Sequence, residues 1–455
     1  MNKHEGVANL IMRFLAMAIP FAIAIYWPAF VVLPDAVGPV MRPAMLGAAV
    51  VMGLCMFGEP LTAIELQMMK VFGIMWLIFV LTSAVAEEPM DAFVGLLKLI
   101  LIQIFSLLMA RALRYEPAAE VLGKWMYVGS IVITLFVIYA YLHILGPVLP
   151  TYAAVRGLKG IAEKQGYALN ETPATAILAF ICSTCLRPMT KFKWAVGAAI
   201  VIIGALLTGS RAALAIPVLA ALILLIVLWM RSNSTWRKFF AVAMIVLGLS
   251  AIVCAVVFIP SSVISKASEG RWDLWTAGIS KFLERPLLGW GFQSWKSDLA
   301  SRLPGEYQLS NYLAQHIVGG YHNEYVAALS EHGLAGFVAL MMLYMFGIGS
   351  AWKLAFRRTL TWKFGYAALF GVLFLMVRAN VELDGLFGFS QDPVDYSAYV
   401  LLAIIVSRLS IEEIACQRAI QNAQSVRFQS RAVAFPRRPR RAPATSDRSS
   451  FGEIR

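Results

Sequence analysis

The sequence predicts an all-α, polytopic membrane protein with about twelve transmembrane helices and one large extracytoplasmic loop. Three observations predict it. Of 455 residues, 60% are hydrophobic and only 14% are charged, whereas soluble domains run about 45–50% apolar and about 25% charged. Mean hydropathy is +0.72. The apolar residues gather into runs close to the roughly 20 residues that cross a bilayer as a helix. This pattern excludes a disordered chain and argues against a soluble globular one.

In chain order the runs lie near 9–33, 40–58, 67–86, 91–110, 122–145, 172–186, 193–209, 212–230, 239–260, 334–352, 362–383 and 395–411. The first is too long and too weakly flanked for a cleaved signal peptide, and reads as a retained span. Basic residues in the short loops set the orientation. With the N-terminus inside, the inner loops hold Arg111, Arg114 and Lys124, then Arg187, Lys191 and Lys193, then Arg231, Arg237 and Lys238, then Lys353, Arg357, Arg358 and Lys363. The outer turns at Glu87-Glu88 and at Asp384 and Asp392 are acidic. The net charge of +13 is therefore assigned to one membrane side rather than to nucleic acid. An even span count returns the C-terminus inside.

The expected organisation is residues 1–260 as spans one to nine, 261–333 as an outer catalytic loop with amphipathic helices, 334–411 as spans ten to twelve, and 412–455 as a basic, disordered inner tail. That tail, with Arg437, Arg438, Arg440 and Arg441, reads either as a solvated topology anchor or as a contact for anionic lipid heads. Of five cysteines, Cys182 and Cys185 form a lone CxxC inside an apolar run. No second pair exists for a zinc site, and small packing residues are the expectation.

Within 261–333, Trp272, Trp275, Ile279 and Phe282 recur at helical steps and form one face. Two tryptophans favour the headgroup zone; packing on other loop residues is the alternative. Pro286 stops this helix. Gly289 and Gly291 then permit a tight turn or a close backbone approach to a ligand. Further on, the Gly319-Gly320 pair precedes Tyr321-His322-Asn323, where Asn323 suits the cap of a helix leading into span ten. His316, His322 and His332 hold three of the five histidines, at spacings that fit no zinc pattern. No metal is expected, and no cofactor.

The turn Thr208-Gly209-Ser210-Arg211 places an arginine at the outer face, against the charge bias. It either has a task or snorkels to lipid phosphate. Arg378 and Glu382 are four apart near the outer end of span eleven, as a structural ion pair or a pocket-facing one. Arg211, Arg271 and His322 together suggest a chemistry. Guanidinium groups fork onto phosphate oxygens, and an imidazole of pKa about 6.5 accepts a proton near neutrality. Departure of a diphosphate as an alcohol attacks a sugar carbon needs those two functions.

These residues resemble the O-antigen ligase family. The resemblance is carried by the Gly-Ser-Arg turn at Arg211, by Gly270-Arg271 with Trp275, and by Pro286, Gly289 and Gly291. Its most specific part is His322-Asn323, nine residues, Gly333, two residues and Gly336. It implies a GT-C-like, metal-independent, inverting glycosyltransferase of the bacterial inner membrane. Both termini would be cytoplasmic and the active site periplasmic. The donor would be a glycan on undecaprenyl diphosphate; the acceptor would be lipid A–core or another glycan, within membrane lipid and without nucleic acid. By the resemblance, Arg211 and Arg271 hold the diphosphate and His322 deprotonates the acceptor. Supporting candidates are Asn323, Glu331, Ser210, Trp275, Gly289, Gly291, Arg378 and Glu382. The group orienting His322 stays open. Glu331 is about 13 Å along a continuous helix and on its opposite face, while Glu324 and Asp298 are further candidates.

Polymerases of the same superfamily, acting on O-antigen or exopolysaccharide, are the alternative. They often carry Arg-x10-Gly in outer loops. Eleven residues after Arg156, Arg271 and Arg302 stand Tyr167, Phe282 and Leu313, none of them glycine, which favours a ligase. A non-enzymatic transporter would favour repeat-related halves around a midplane site, and no repeat is found.

Overall fold

The computed structural model describes residues 60–145, 172–187, 189–208, 211–258, 271–292, 294, 320–356, 362–382, 386 and 393–434. Among them are eleven helices and no strand. They are α1 (Ala63–Ala84), α2 (Pro89–Ala112), α3 (Glu116–Leu145), α4 (Thr172–Leu186), α5 (Lys191–Leu207), α6 (Arg211–Met230), α7 (Thr235–Phe258), α8 (Arg271–Glu284), α9 (Glu324–Phe356), α10 (Trp362–Arg378) and α11 (Pro393–Ala434). Each expected span from 67–86 onward falls on one of these helices, and α8 is the helix expected in the large loop. The spans near 9–33 and 40–58, Gly209, Ser210, Asp298 and the Arg-rich end of the tail lie outside the described residues.

The chain is a multi-pass membrane protein. Five helices (Ala63–Ala84, Pro89–Ala112, Glu116–His143, Ala212–Met230 and Glu324–Phe356) are each long and apolar enough to cross a bilayer. Side chains such as Leu77, Leu97, Val218 and Leu247 point outward and stand exposed. In water that apolar shell would be costly; against lipid it is the expected surface. The chain divides into two compact units, Met1–Ser410 and Ile411–Arg455.

In the first unit α4 and the early part of α11 are apolar on every side because they are covered on every side. All but Thr184 of α4 is buried, as are Ala398 to Val406 of α11. Cys182 and Cys185 are buried, unbridged thiols of α4. Several polar groups in this interior are paired, which offsets the cost of burying them in a low-dielectric core. Gln103 donates to the Tyr399 hydroxyl (3.0 Å) and accepts from the Trp76 indole (2.5 Å), and Ser106 donates to the Tyr399 carbonyl (2.8 Å).

Helix α9 is broken once, at Gly333, whose backbone (φ 64°, ψ −161°) lies in a region essentially reserved for glycine. A break frees carbonyls before it and N–H groups after it. The segment Pro286–Gly291 takes up both. Leu334 N–H and Ala335 N–H donate to the carbonyls of Pro286 (2.8 Å) and Leu287 (3.2 Å). In return Trp290 N–H and Gly291 N–H donate to the carbonyls of Ser330 (3.1 Å) and Glu331 (2.7 Å). Backbones this close leave no room for a Cβ. One at Gly289 would run into the backbone of Glu331 and Gly333, and one at Gly333 into that of Leu287. The close approach of the glycine pair is thus made to the protein itself rather than to a ligand: to α9, and at Gly291 to Ala86, beyond the end of α1.

Candidate active site

The site forms where α9 begins and α10 ends. Asn323 caps α9: its side-chain oxygen accepts from Tyr325 N–H and Val326 N–H, both at 3.0 Å, satisfying donors that an uncapped helix would leave bare. Its amide donates to the Asn380 carbonyl (2.9 Å), and Glu324 N–H donates to the Ala379 carbonyl (2.8 Å). The start of α9 is therefore sewn to the residues that follow α10. Those residues curl back, with Val381 N–H and Glu382 N–H donating to the Arg378 carbonyl at 2.8 and 3.0 Å.

This seam places His322, one residue before the cap, against Glu382. The imidazole Nδ1 lies 3.4 Å from Oε2 of Glu382, long for a hydrogen bond. The other carboxylate oxygen, Oε1, accepts from Nη2 of Arg271 at 3.1 Å. Nη1 of Arg271 donates to the Val381 carbonyl. His322 holds φ 48°, the left-handed region uncommon outside glycine. The preceding Gly320, also at positive φ, eases the turn.

Burial alone would raise the Glu382 pKa. The hydrogen bond from His322 and the charges of Arg271 and Arg378 outweigh it and hold the carboxyl at about 2. Glu382 is therefore an acceptor only near neutrality, so a hydrogen bond at this contact has Nδ1 of His322 as its donor. In the neutral ring Nε2 then keeps its lone pair.

Arg271 opens α8, whose buried face is Leu274, Ala277, Gly278 and Lys281. Gly278 faces Tyr321 and Val326 so closely that a Cβ would clash. The face expected from Trp272, Trp275, Ile279 and Phe282 lies to one side of this contact: Ile279 is exposed and the other three are half-buried. The rings of Trp272 and Trp275 stand 6.3 Å apart. The Trp275 indole N–H is buried without a hydrogen-bond partner among the described residues. Lys281, whose charge alone would place it on a polar surface, is fully buried and donates to the Ser294 carbonyl (2.8 Å). Its position on the 274–277–278–281 stripe was the available signal.

Arg211 begins α6. That helix ends beside the end of α9: the Arg231 guanidinium, one residue past α6, sits 4.1 Å from the Phe356 ring centroid and 5.2 Å from that of Trp352. The α6 backbone therefore starts at the same end of the bundle as His322; its Arg211 side chain lies outside the described residues.

Glu382 does not form the simple i,i+4 pair with Arg378. Helix α10 stops at Arg378, so the shared helix face lapses, and Glu382 turns to Arg271 and His322 while buried Arg378 adds its charge. Of the carboxylates left open as partners of His322, Glu324 is buried and accepts from the Tyr344 hydroxyl (2.6 Å). Glu331 is buried at the Gly333 break. His332, ten residues after His322, is a core residue: its Nδ1 is 2.7 Å from the Thr82 hydroxyl and its ring packs on Phe79.

A family model described as O-antigen ligase matches residues 196–341. The matched stretch holds Arg271, His322 and Gly333 but ends before Glu382. No curated protein matches the chain.

Proposed function

We propose, from the match of residues 196–341 to a family model described as O-antigen ligase, that this chain is a membrane glycosyltransferase of that family acting at the periplasmic face of the bacterial inner membrane. Its donor is a glycan on undecaprenyl diphosphate and its acceptor is lipid A–core. The full arrangement in this reading has twelve spans, both termini in the cytoplasm, and the segment 261–333 as catalytic loop.

One observation carries the reading: a single ionised carboxylate, Glu382, touches both an arginine and a histidine that lie 111 and 60 positions away in the chain. A base and an anion-binding group are thereby set side by side. Nδ1 of His322 donates to Glu382, and Nε2 takes the proton of the acceptor hydroxyl. That oxygen attacks the anomeric carbon. The bond from this carbon to the diphosphate oxygen breaks on the opposite face, inverting the centre, and the electron pair leaves on undecaprenyl diphosphate. Arg271 and Arg211 hold the charge that grows there. Two donors of Arg271 are committed to Val381 and Glu382, which fixes its fork and leaves the remaining N–H groups for phosphate. The positive charge that a metal would otherwise supply comes from the guanidinium pair.

The test is transfer by the purified chain from undecaprenyl-diphosphate glycan to lipid A–core in detergent. Product on the lipid A–core, unaffected by EDTA, is expected. Extension of the donor glycan in place of transfer to the core would identify a polymerase, and EDTA sensitivity rescued by a divalent ion would overturn the metal-free step.

A further inference from the structure

A second site lies at the other end of the bundle. Helices α1 and α9 pack side by side and run antiparallel, with Thr82 meeting His332 near one end. Lys70, about 18 Å back along α1 from Thr82, and Lys353, about 32 Å on along α9 from His332, bound a cleft of about 320 Å³ between the two helices. The α9 end of the cleft is thus about one hydrocarbon thickness, about 30 Å, from His332. Lys70 of α1 and Lys353 of α9 line the cleft together with Gln67, Ser350, Gly349 and Phe346. Both lysines are exposed, and no carboxylate is among the lining residues. The nearby carboxylate of Glu65 is already engaged, accepting from Arg114 and from Thr62 N–H. Arg231 of the same end lies over aromatic rings. Gly349 is what opens the cleft: a Cβ added there would meet nothing within 4 Å.

The occupant must be anionic, must offer hydrogen-bond acceptors to two ammonium groups, an amide and a hydroxyl, and must tolerate apolar walls. It must also reach a groove on the lateral face of a membrane bundle. We propose that this cleft binds the phosphate headgroup of an anionic phospholipid, in the leaflet opposite the His322 end. Lys70 and Lys353 neutralise the phosphate, Gln67 and Ser350 bond to its esters or glycerol, and the first acyl methylenes lie along Phe346. This reading is independent of the glycan-transfer chemistry.

Native mass spectrometry of the full chain, released from detergent containing either phosphatidylglycerol or phosphatidylcholine of the same acyl chains, tests it. Phosphatidylglycerol is expected to stay bound and phosphatidylcholine to dissociate. In Lys70→Ala/Lys353→Ala, retention of phosphatidylglycerol should fall on the order of tenfold or more. Gly349→Leu keeps both lysines and fills open space without a clash, so it should fold and should also expel the lipid. Equal retention of the two lipids by the parent overturns the proposal, as does parent-like phosphatidylglycerol retention by Gly349→Leu. Lipid held instead by the arginines of the C-terminal tail, unchanged in every variant, would give that second result.

Discussion

The Pro286–Gly291 clasp on α9 and the mouth around Glu382 both draw on motif residues between 271 and 333, yet they are held together by different forces. In the clasp, four backbone hydrogen bonds cross between Pro286–Gly291 and the break at Gly333, and the side chains matter by being absent. In the mouth, Arg271, His322 and Glu382 meet through polar side chains that remain partly exposed, at 24%, 22% and 16% of their side-chain areas. Partly exposed charge is screened by solvent, so less of the fold depends on it than on the clasp, and in the proposed reading it is left to meet a substrate. Buried backbone bonding is the reverse: expensive to lose and without spare valence. Glycine motifs here hold the scaffold, and the charged residues beside them are left for chemistry.

Substitutions should separate the two regions. The largest effect is expected from His322→Ala: transfer falls about a thousandfold, within the range for losing a general base, while the thermal unfolding midpoint in detergent stays within a degree or two of the parent. A large drop in that midpoint would move His322 to the scaffold side of the comparison. Gly333→Ala should do the opposite. A side chain forced into a glycine-only backbone region and against Leu287 costs about 3 kcal/mol or more, visible as a lowered unfolding midpoint and poor yield of folded protein. Normal stability would mean that the break in α9 is not needed.

The electrostatics of Glu382 give a subtler contrast. Its folded pKa of about 2 lies below the usual carboxylate value of 4.5. The stabilisation it contributes is therefore complete above about pH 4.5 and is lost as pH falls towards 2. The unfolding midpoint of the parent should exceed that of Glu382→Gln by a constant margin from pH 7 down to about 4.5, and the margin should shrink below. A margin unchanged at pH 3 would contradict the pairing. The smallest effect is expected from Asn323→Ala, which loses a helix cap at about 1 kcal/mol. Asn323→Asp keeps the cap acceptor but loses the donor to Asn380, and should fall between the alanine variant and the parent in the same unfolding measurement.

The sequence made the helices legible because crossing a bilayer demands long apolar runs, and each run after residue 60 became a helix. The Asn323 cap was legible for a similar reason: a short polar side chain after a glycine pair and before an apolar run has few other uses. The partner of His322 was not. Glu382 looked like half of an i,i+4 pair on α10, and only the end of that helix at Arg378 releases it towards a histidine 60 residues earlier. Long-range pairing of this kind leaves no periodic trace. The same holds for the contact between Gly289 and Gly333, where each glycine could be read as conformational freedom but neither announces its partner. Arg271 and His322 were singled out by their chemistry and given roles by the family resemblance; their common contact with Glu382 came from the fold.

The central claim is that Glu382 acts on the transferred proton through His322. Transfer rates at saturating donor, measured for the purified parent, His322→Ala, Glu382→Gln and the double variant, test it most directly. The account predicts that Glu382→Gln alone slows transfer and that the double variant is no slower than His322→Ala, because the carboxylate has nothing left to orient. If the two losses multiply instead, the carboxylate and the imidazole work independently, and the shared site is contradicted.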